Sequence, residues 1–203
     1  MLITLLWLPL LSAGIAGDYP AFSNELDRHL DQAFTALAEH RYIAFEQARG
    51  QIERDLDHLD DVLKGEPLVR VHLLYTARAW LDGDEDALRA GFRGLRAVSP
   101  GFLLPEGWSE GDDRLERLYR EAVGAGPGPE ARLPGHVVVD GRLAEDHLPV
   151  ERACVVQIRT PTGAWATWYV QPGEGTTAWL AARAVVEDRP VEPEAPVPVP
   201  AEP

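Results

Sequence analysis

The chain has 203 residues, of which 45% are hydrophobic and 26% charged. These are globular proportions, and they exclude a wholly disordered chain, a collagen and a multi-span membrane protein. A net charge of −14 repels phosphate backbones and speaks against a nucleic-acid partner, and the single cysteine, Cys154, rules out a disulfide framework within one chain.

From the amino terminus, residues 2–11 form an uncharged apolar run, Leu-Ile-Thr-Leu-Leu-Trp-Leu-Pro-Leu-Leu. A membrane-spanning helix needs about 20 such residues. A signal-peptide core needs only about 7–15. Gly14 and Ala16 supply small residues ahead of Gly17. Residues 1–16 are therefore expected to be a signal peptide cut before Gly17, leaving a periplasmic or secreted protein. An uncleaved N-terminal anchor is the alternative. A lone thiol also fits an oxidising compartment, where several would mispair.

Residues 17–123 have helical periodicity. Leu26, Leu30, Ala33, Phe34 and Leu37 share one helix face. Tyr42, Phe45, Ala48, Ile52, Leu56, Leu59 and Leu63 predict a second helix reaching Leu63, ended by Gly65, with Pro67 restarting the chain. A third helix runs from Leu68 through Val71 and Leu74 to Leu81. A fourth runs from Asp84 to Val98 and carries Ala87, Leu88, Phe92 and Leu95 on one face. A fifth, Asp113 to Val123, carries Leu115, Leu118 and Tyr119.

Gly124 to Pro129 then reads Gly-Ala-Gly-Pro-Gly-Pro, so residues 124–134 are read as a linker. The period changes to that of strands over 135–186. His136–Asp140 precedes Gly141, a hairpin-type turn. Ala153–Arg159 and Ala164–Gln171 follow, then a further candidate strand at Thr176–Leu180. Residues 187–203 hold six prolines and five acidic side chains against one arginine, a composition that cannot bury a core. The expected fold class is α+β: about five helices in N-terminal antiparallel hairpins and a C-terminal small antiparallel β-domain, packed independently.

The residues Leu74, Tyr75, Ala79, Trp80, Gly83-Asp84, Ala87-Leu88, Phe92, Leu95 and Pro100 make residues 67–100 resemble a tetratricopeptide repeat. That unit is an antiparallel helix pair of about 34 residues. Residues 34–59 resemble a degenerate second copy, with His40-Arg41 where the Gly-Asp turn stands in the other. Val137-Val-Val-Asp-Gly-Arg142, followed later by Val170-Gln-Pro-Gly173, resembles the small PEGA β-domains of bacterial envelope proteins. The pairing of the two resembles exported bacterial envelope proteins. It implies a groove for a peptide or protein partner on the first helix of each hairpin, with Arg70, His72, Tyr75 and Arg78 as candidate contacts and Arg28 and His29 from the earlier unit.

No catalytic signature is present, so the chain is read as non-enzymatic, with no cofactor and no metal. Asp82-Gly-Asp-Glu-Asp86 lacks the glycine and the final acid of a calcium loop. His136, His147 and Cys154 fit no zinc-ligand spacing, and Cys154 is read as a buried thiol. Asp55, Asp57, Asp60 and Asp61 are read as a solvated helix face. Trp165, Trp168, Tyr169 and Trp179 form a candidate aromatic platform for sugars. They support the alternative function, a carbohydrate- or peptidoglycan-associating module with cell-wall association. The leading expectation is a binding or scaffold protein of the bacterial cell envelope.

Overall fold

The computed structural model describes residues 24–104, 113–124, 130–132, 137–143, 147–159 and 163–173. The signal-peptide region, Trp179, the tail and His136 lie outside the described residues, as do 125–129 of the linker. The fold is α+β. Among the described residues five helices come first: α1 (Asn24–Ala38), α2 (Tyr42–Leu56), α3 (Gly65–Asp82), α4 (Glu85–Val98) and α5 (Asp113–Gly124). Six short strands follow among them: β1 (Glu130–Arg132), β2 (Val138–Val139), β3 (Arg142–Leu143), β4 (His147–Pro149), β5 (Cys154–Arg159) and β6 (Trp165–Val170). Among the described residues no helix is long and apolar enough to cross a membrane.

The two helical hairpins turn in the same way. His40 (φ 57°) and Gly83 (φ 72°) both occupy the left-handed region. The next residue then reaches back five positions: Arg41 N donates to Ala36 O at 2.8 Å, and Asp84 N to Ala79 O at 3.0 Å. This is the Schellman closure of a helix end. Asp84 also starts α4, its carboxylate accepting from Ala87 N at 3.0 Å. The tight point of the second hairpin is Gly91, where an added Cβ would stand 2.5 Å from Thr76 Oγ1. Ala87, which the sequence places on the apolar face of this helix, is only partly buried.

The second helix stops at Leu56, short of the expected Leu63. Leu59 leaves the helix and pairs with the sheet: Trp165 N donates to Leu59 O at 2.7 Å, and Leu59 N to Trp165 O at 3.2 Å. The apolar residues Leu59, Val62 and Leu63 are still buried. Their spacing reflected burial rather than a continued helix, and a distant strand supplies the partner that the helix ladder would have supplied.

β3, β2, β5 and β6 form one antiparallel sheet in that order, and β1 pairs with β4. β1 lies inside the expected linker, and His147, expected in a loop, belongs to β4. Asp140 (φ 49°) and Gly141 (φ 74°) form the two-residue β2–β3 turn. Positive φ at both positions is the primed turn that Asp-Gly favours.

β5, central in the sheet, is buried on both faces and so lacks the alternation of a half-exposed strand. Val155, Trp165 and Tyr169 face the helices and join their core. Cys154, Val156, Ile158 and Val170 face away, forming a second core with Val137, Val139 and Leu148 and partly covered by Trp168. The expectation of two independently packed parts is thus corrected. Val155 completes the helical core, and the Ala153 N–H donates to Ala90 O of α4 at 3.0 Å.

Small residues on α4 permit this approach. A Cβ on Gly94 would stand 2.5 Å from Ala153 O and 2.8 Å from His72 Nδ1. Gly50 on α2 has open space around the corresponding point. Gly50→Ala is expected to stabilise the protein by about 0.5–1 kcal/mol through helix propensity. Gly94→Ala, with the same propensity gain, should instead destabilise by about 1–3 kcal/mol because backbone must move. Urea midpoints for the two variants should move in opposite directions. A stabilised Gly94→Ala would refute the close approach.

Candidate functional site

Asp140 is the polar centre of the helix–sheet joint. The primed turn aims its carboxylate at α3 and β5. Oδ1 accepts from Val155 N at 2.9 Å and from His72 Nε2 at 2.9 Å, and Oδ2 accepts from the Arg152 guanidinium. Its own N–H donates to Val155 O at 2.8 Å. Burial alone would raise the carboxyl pKa. The favourable field and hydrogen bond of His72, the Arg152 charge and the Val155 N–H outweigh it and hold Asp140 below the usual carboxylate range.

Around this centre the joint is closed by aromatic and amide side chains. Tyr169 of β6 stacks on Tyr75 of α3 at 4.3 Å between ring centroids and meets His72 edge-on at 5.3 Å. Burial pushes the Tyr169 hydroxyl pKa up. Gln157, fully buried in β5, accepts from Leu63 N at 2.8 Å through Oε1 and donates to Thr167 Oγ1 at 3.0 Å. A Cβ on Gly141 would stand 2.9 Å from Leu63 O, so the turn sits directly against the entry to α3.

These contacts correct the expected partner groove. His72 is fully buried and pairs with Asp140, so it faces no partner. Tyr75 is covered by Tyr169. Arg70 is drawn onto α1, where it pairs with Asp27 (3.6 Å) and Asp31, with Phe34 beneath its guanidinium. Arg78 pairs with Glu46 of α2 (2.9 Å) and with Asp82. His29 holds α1 to α2 through Asp55 at 2.6 Å. The α3 face expected to take a peptide is thus taken by the protein's own β6 and by internal ion pairs.

The aromatic set is likewise divided. Trp165 and Tyr169 pack onto the helices, whereas Trp168 packs on the opposite sheet face. These three do not form one platform, and Trp179 lies outside the described residues. Cys154 is buried, which raises its thiol pKa. Among the described residues no group of three or more His, Cys, Asp or Glu is placed to hold a metal. In the Asp82–Asp86 turn the carboxylates serve Arg78, the α4 cap and Arg89.

An open site lies elsewhere. Between α1 and α2 runs a groove of about 500 Å³, with Ala36, Ala44 and Ala48 among its lining residues. Its other lining side chains are polar: Arg28, Asp31, Gln32 and Thr35 from α1, and Arg41, Gln47 and Gln51 from the α2 side. Asp31 is already engaged by Arg70, and Arg41 by Glu39 at 2.6 Å. Arg28 donates toward His29 and has no carboxylate partner among the described residues. Sequence periodicity points to buried faces and passes over the glutamines, which lie on the exposed side. Compared with known proteins, the chain matches no family model, no curated protein and no solved structure.

Proposed function

We propose that this is a non-enzymatic binding or scaffold protein of the bacterial cell envelope, periplasmic or secreted, that takes an extended peptide or protein segment in the groove between α1 and α2. The observation that carries the reading is the groove's lining. Gln32, Gln47 and Gln51 each offer a donor and an acceptor. An extended backbone presents both along its length, so a row of carboxamides between two helices suits a peptide better than it suits a compact metabolite. The uncharged run at residues 2–11 supports export. The shared turn geometry at His40 and Gly83 supports a tetratricopeptide-like pair of hairpins, a plan whose stacked helices offer concave peptide surfaces. The non-enzymatic reading draws on the burial of His72 and Asp140, which are tied to each other and to Arg152.

Binding of the full chain to an array of extended envelope-protein peptides tests this. Gln47 is exposed, so Gln47→Trp fills the groove from its rim without entering the core. It should weaken the array hits about tenfold or more, a loss of about 1.4 kcal/mol or greater. Arg78→Ala, on the closed face, should leave them unchanged. Equal binding by wild type and Gln47→Trp would overturn the assignment of the groove.

A further inference from the structure

Arg28, which lines the groove from α1, is tied to a histidine whose protons the geometry fixes. This inference rests on the groove reading above and concerns its regulation. His29 Nδ1 lies 2.6 Å from Asp55 Oδ2 of α2, and His29 Nε2 lies 3.2 Å from an Arg28 guanidinium nitrogen. A guanidinium only donates, so Nε2 accepts and carries no proton. An ionised carboxylate only accepts, so Nδ1 carries the proton and donates to Asp55. The ring is therefore neutral, and a relay of hydrogen bonds runs from Arg28 through His29 to Asp55.

Protonation breaks one end of this relay and keeps the other. The imidazolium still donates from Nδ1 to Asp55, now as a charge-assisted bond. Its Nε2 becomes a donor facing the donors of Arg28, and two cations meet at the same contact. His29 is held between α1 and α2 with its side chain 12% exposed, whereas Arg28 is exposed. Arg28 is thus the end that moves. The other charged groups near the relay are Glu25 and Asp31, one turn either side of Arg28 on α1, and Arg54, Asp57 and His58 beside Asp55 at the end of α2. Asp31 is engaged by Arg70 from α3. Among the described residues the hydrogen bonds of the His29 ring go to Arg28 and Asp55.

We propose that His29 is a proton-controlled latch on the α1–α2 groove. Neutral, it holds Arg28 at the rim. Protonated, it releases the guanidinium to the ligand, so acidic peptides bind more tightly as the pH falls. Imidazole is the side chain that changes charge between about pH 5 and 8. Aspartates of a peptide, with values of about 3.9, stay ionised over most of that range.

The full chain is titrated from about pH 7.5 to about pH 5.5 by nuclear magnetic resonance. The Arg28 Nε–H resonance, identified by its loss in Arg28→Gln, should shift with the same midpoint as the His29 ring. It should stay in place in His29→Gln, whose carboxamide accepts from Arg28 at either pH. A second arm adds a capped eight-residue peptide of glutamine with two aspartates, and the same peptide with asparagines in their place. The acidic peptide should bind about threefold more tightly at the lower pH, the gain of one exposed ion pair. The neutral peptide should bind equally at both. Arg28→Gln, an exposed change, should remove the gain, which excludes His40 and His58 as its source. An Arg28 resonance that ignores His29 overturns the latch, as does a gain that survives Arg28→Gln. If the latch fails while the neutral peptide shifts the amides of Gln47 and Gln51, the groove reading stands. If neither peptide shifts them at either pH, the groove reading falls and the latch falls with it.

Discussion

Asp140→Ala is expected to destabilise the protein by about 3–5 kcal/mol, the range for removing one partner of a buried ion pair. The substitution leaves the His72 Nε2–H, the Val155 N–H and one side of Arg152 facing an empty site. Each buried donor left without an acceptor costs about 1–3 kcal/mol. For a chain of this length the melting temperature should fall by about 10 °C. The pH dependence follows from the lowered carboxyl pKa. A group whose folded value lies below its unfolded value, about 3.9 for Asp, stabilises fully above that value. Its contribution is lost as pH falls through the unfolded and then the folded value. Wild type should therefore lose stability below about pH 4 more steeply than Asp140→Ala. Thermal melts followed by circular dichroism across that range check both points. A loss under about 1 kcal/mol at neutral pH would mean that Asp140 does not hold the joint.

Tyr169 separates packing from hydrogen bonding at the same joint. Tyr169→Ala removes the ring that stacks on Tyr75 and meets His72, and should cost about 3–5 kcal/mol. Tyr169→Phe should be neutral or stabilise by up to about 1 kcal/mol. The hydroxyl is buried beside Thr76 with no hydrogen bond of good geometry, so its removal leaves no strong bond broken. Chemical denaturation of the two variants decides the matter. A Phe variant as weak as the Ala variant would show that the hydroxyl, not the ring, carries the contact.

Much of the fold was legible in the sequence because local chemistry wrote it there. The first helix, the Gly83-Asp84 turn with its cap, the Asp140-Gly141 hairpin and the cores of β5 and β6 all follow from periodicity or from turn residues. The end of α2 was not legible, because Leu59, Val62 and Leu63 keep a helical spacing while serving a non-local contact. The first hairpin turn was placed at His40-Arg41 by its resemblance to the second, but its left-handed conformation was not legible, because His40 adopts it without being glycine.

The joint between helices and sheet left a faint signal. His72 interrupts Val-Arg-Val-His-Leu-Leu, and Gln157 interrupts Val-Val-Gln-Ile. A polar residue inside an apolar run is either exposed or paired, and both of these are buried and paired. Gly91 and Gly94, each poor for a helix interior, marked the close approaches of α4. What no local pattern carries is the pairing itself. His72 and Asp140 are 68 positions apart, and Leu63 and Gln157 are 94 apart. That pairing moved the site, because the α3 face that resembled a partner groove is closed by β6 while the α1–α2 groove stays open.

Helices and sheet, joined at Asp140 with the α3 face sealed between them, are expected to unfold as one unit. Differential scanning calorimetry of the full chain tests this directly. One transition is predicted, with calorimetric and van't Hoff enthalpies equal and with near-ultraviolet and far-ultraviolet dichroism lost together. Two separate transitions, with the near-ultraviolet signal of the sheet aromatics lost while helical dichroism persists, would contradict it.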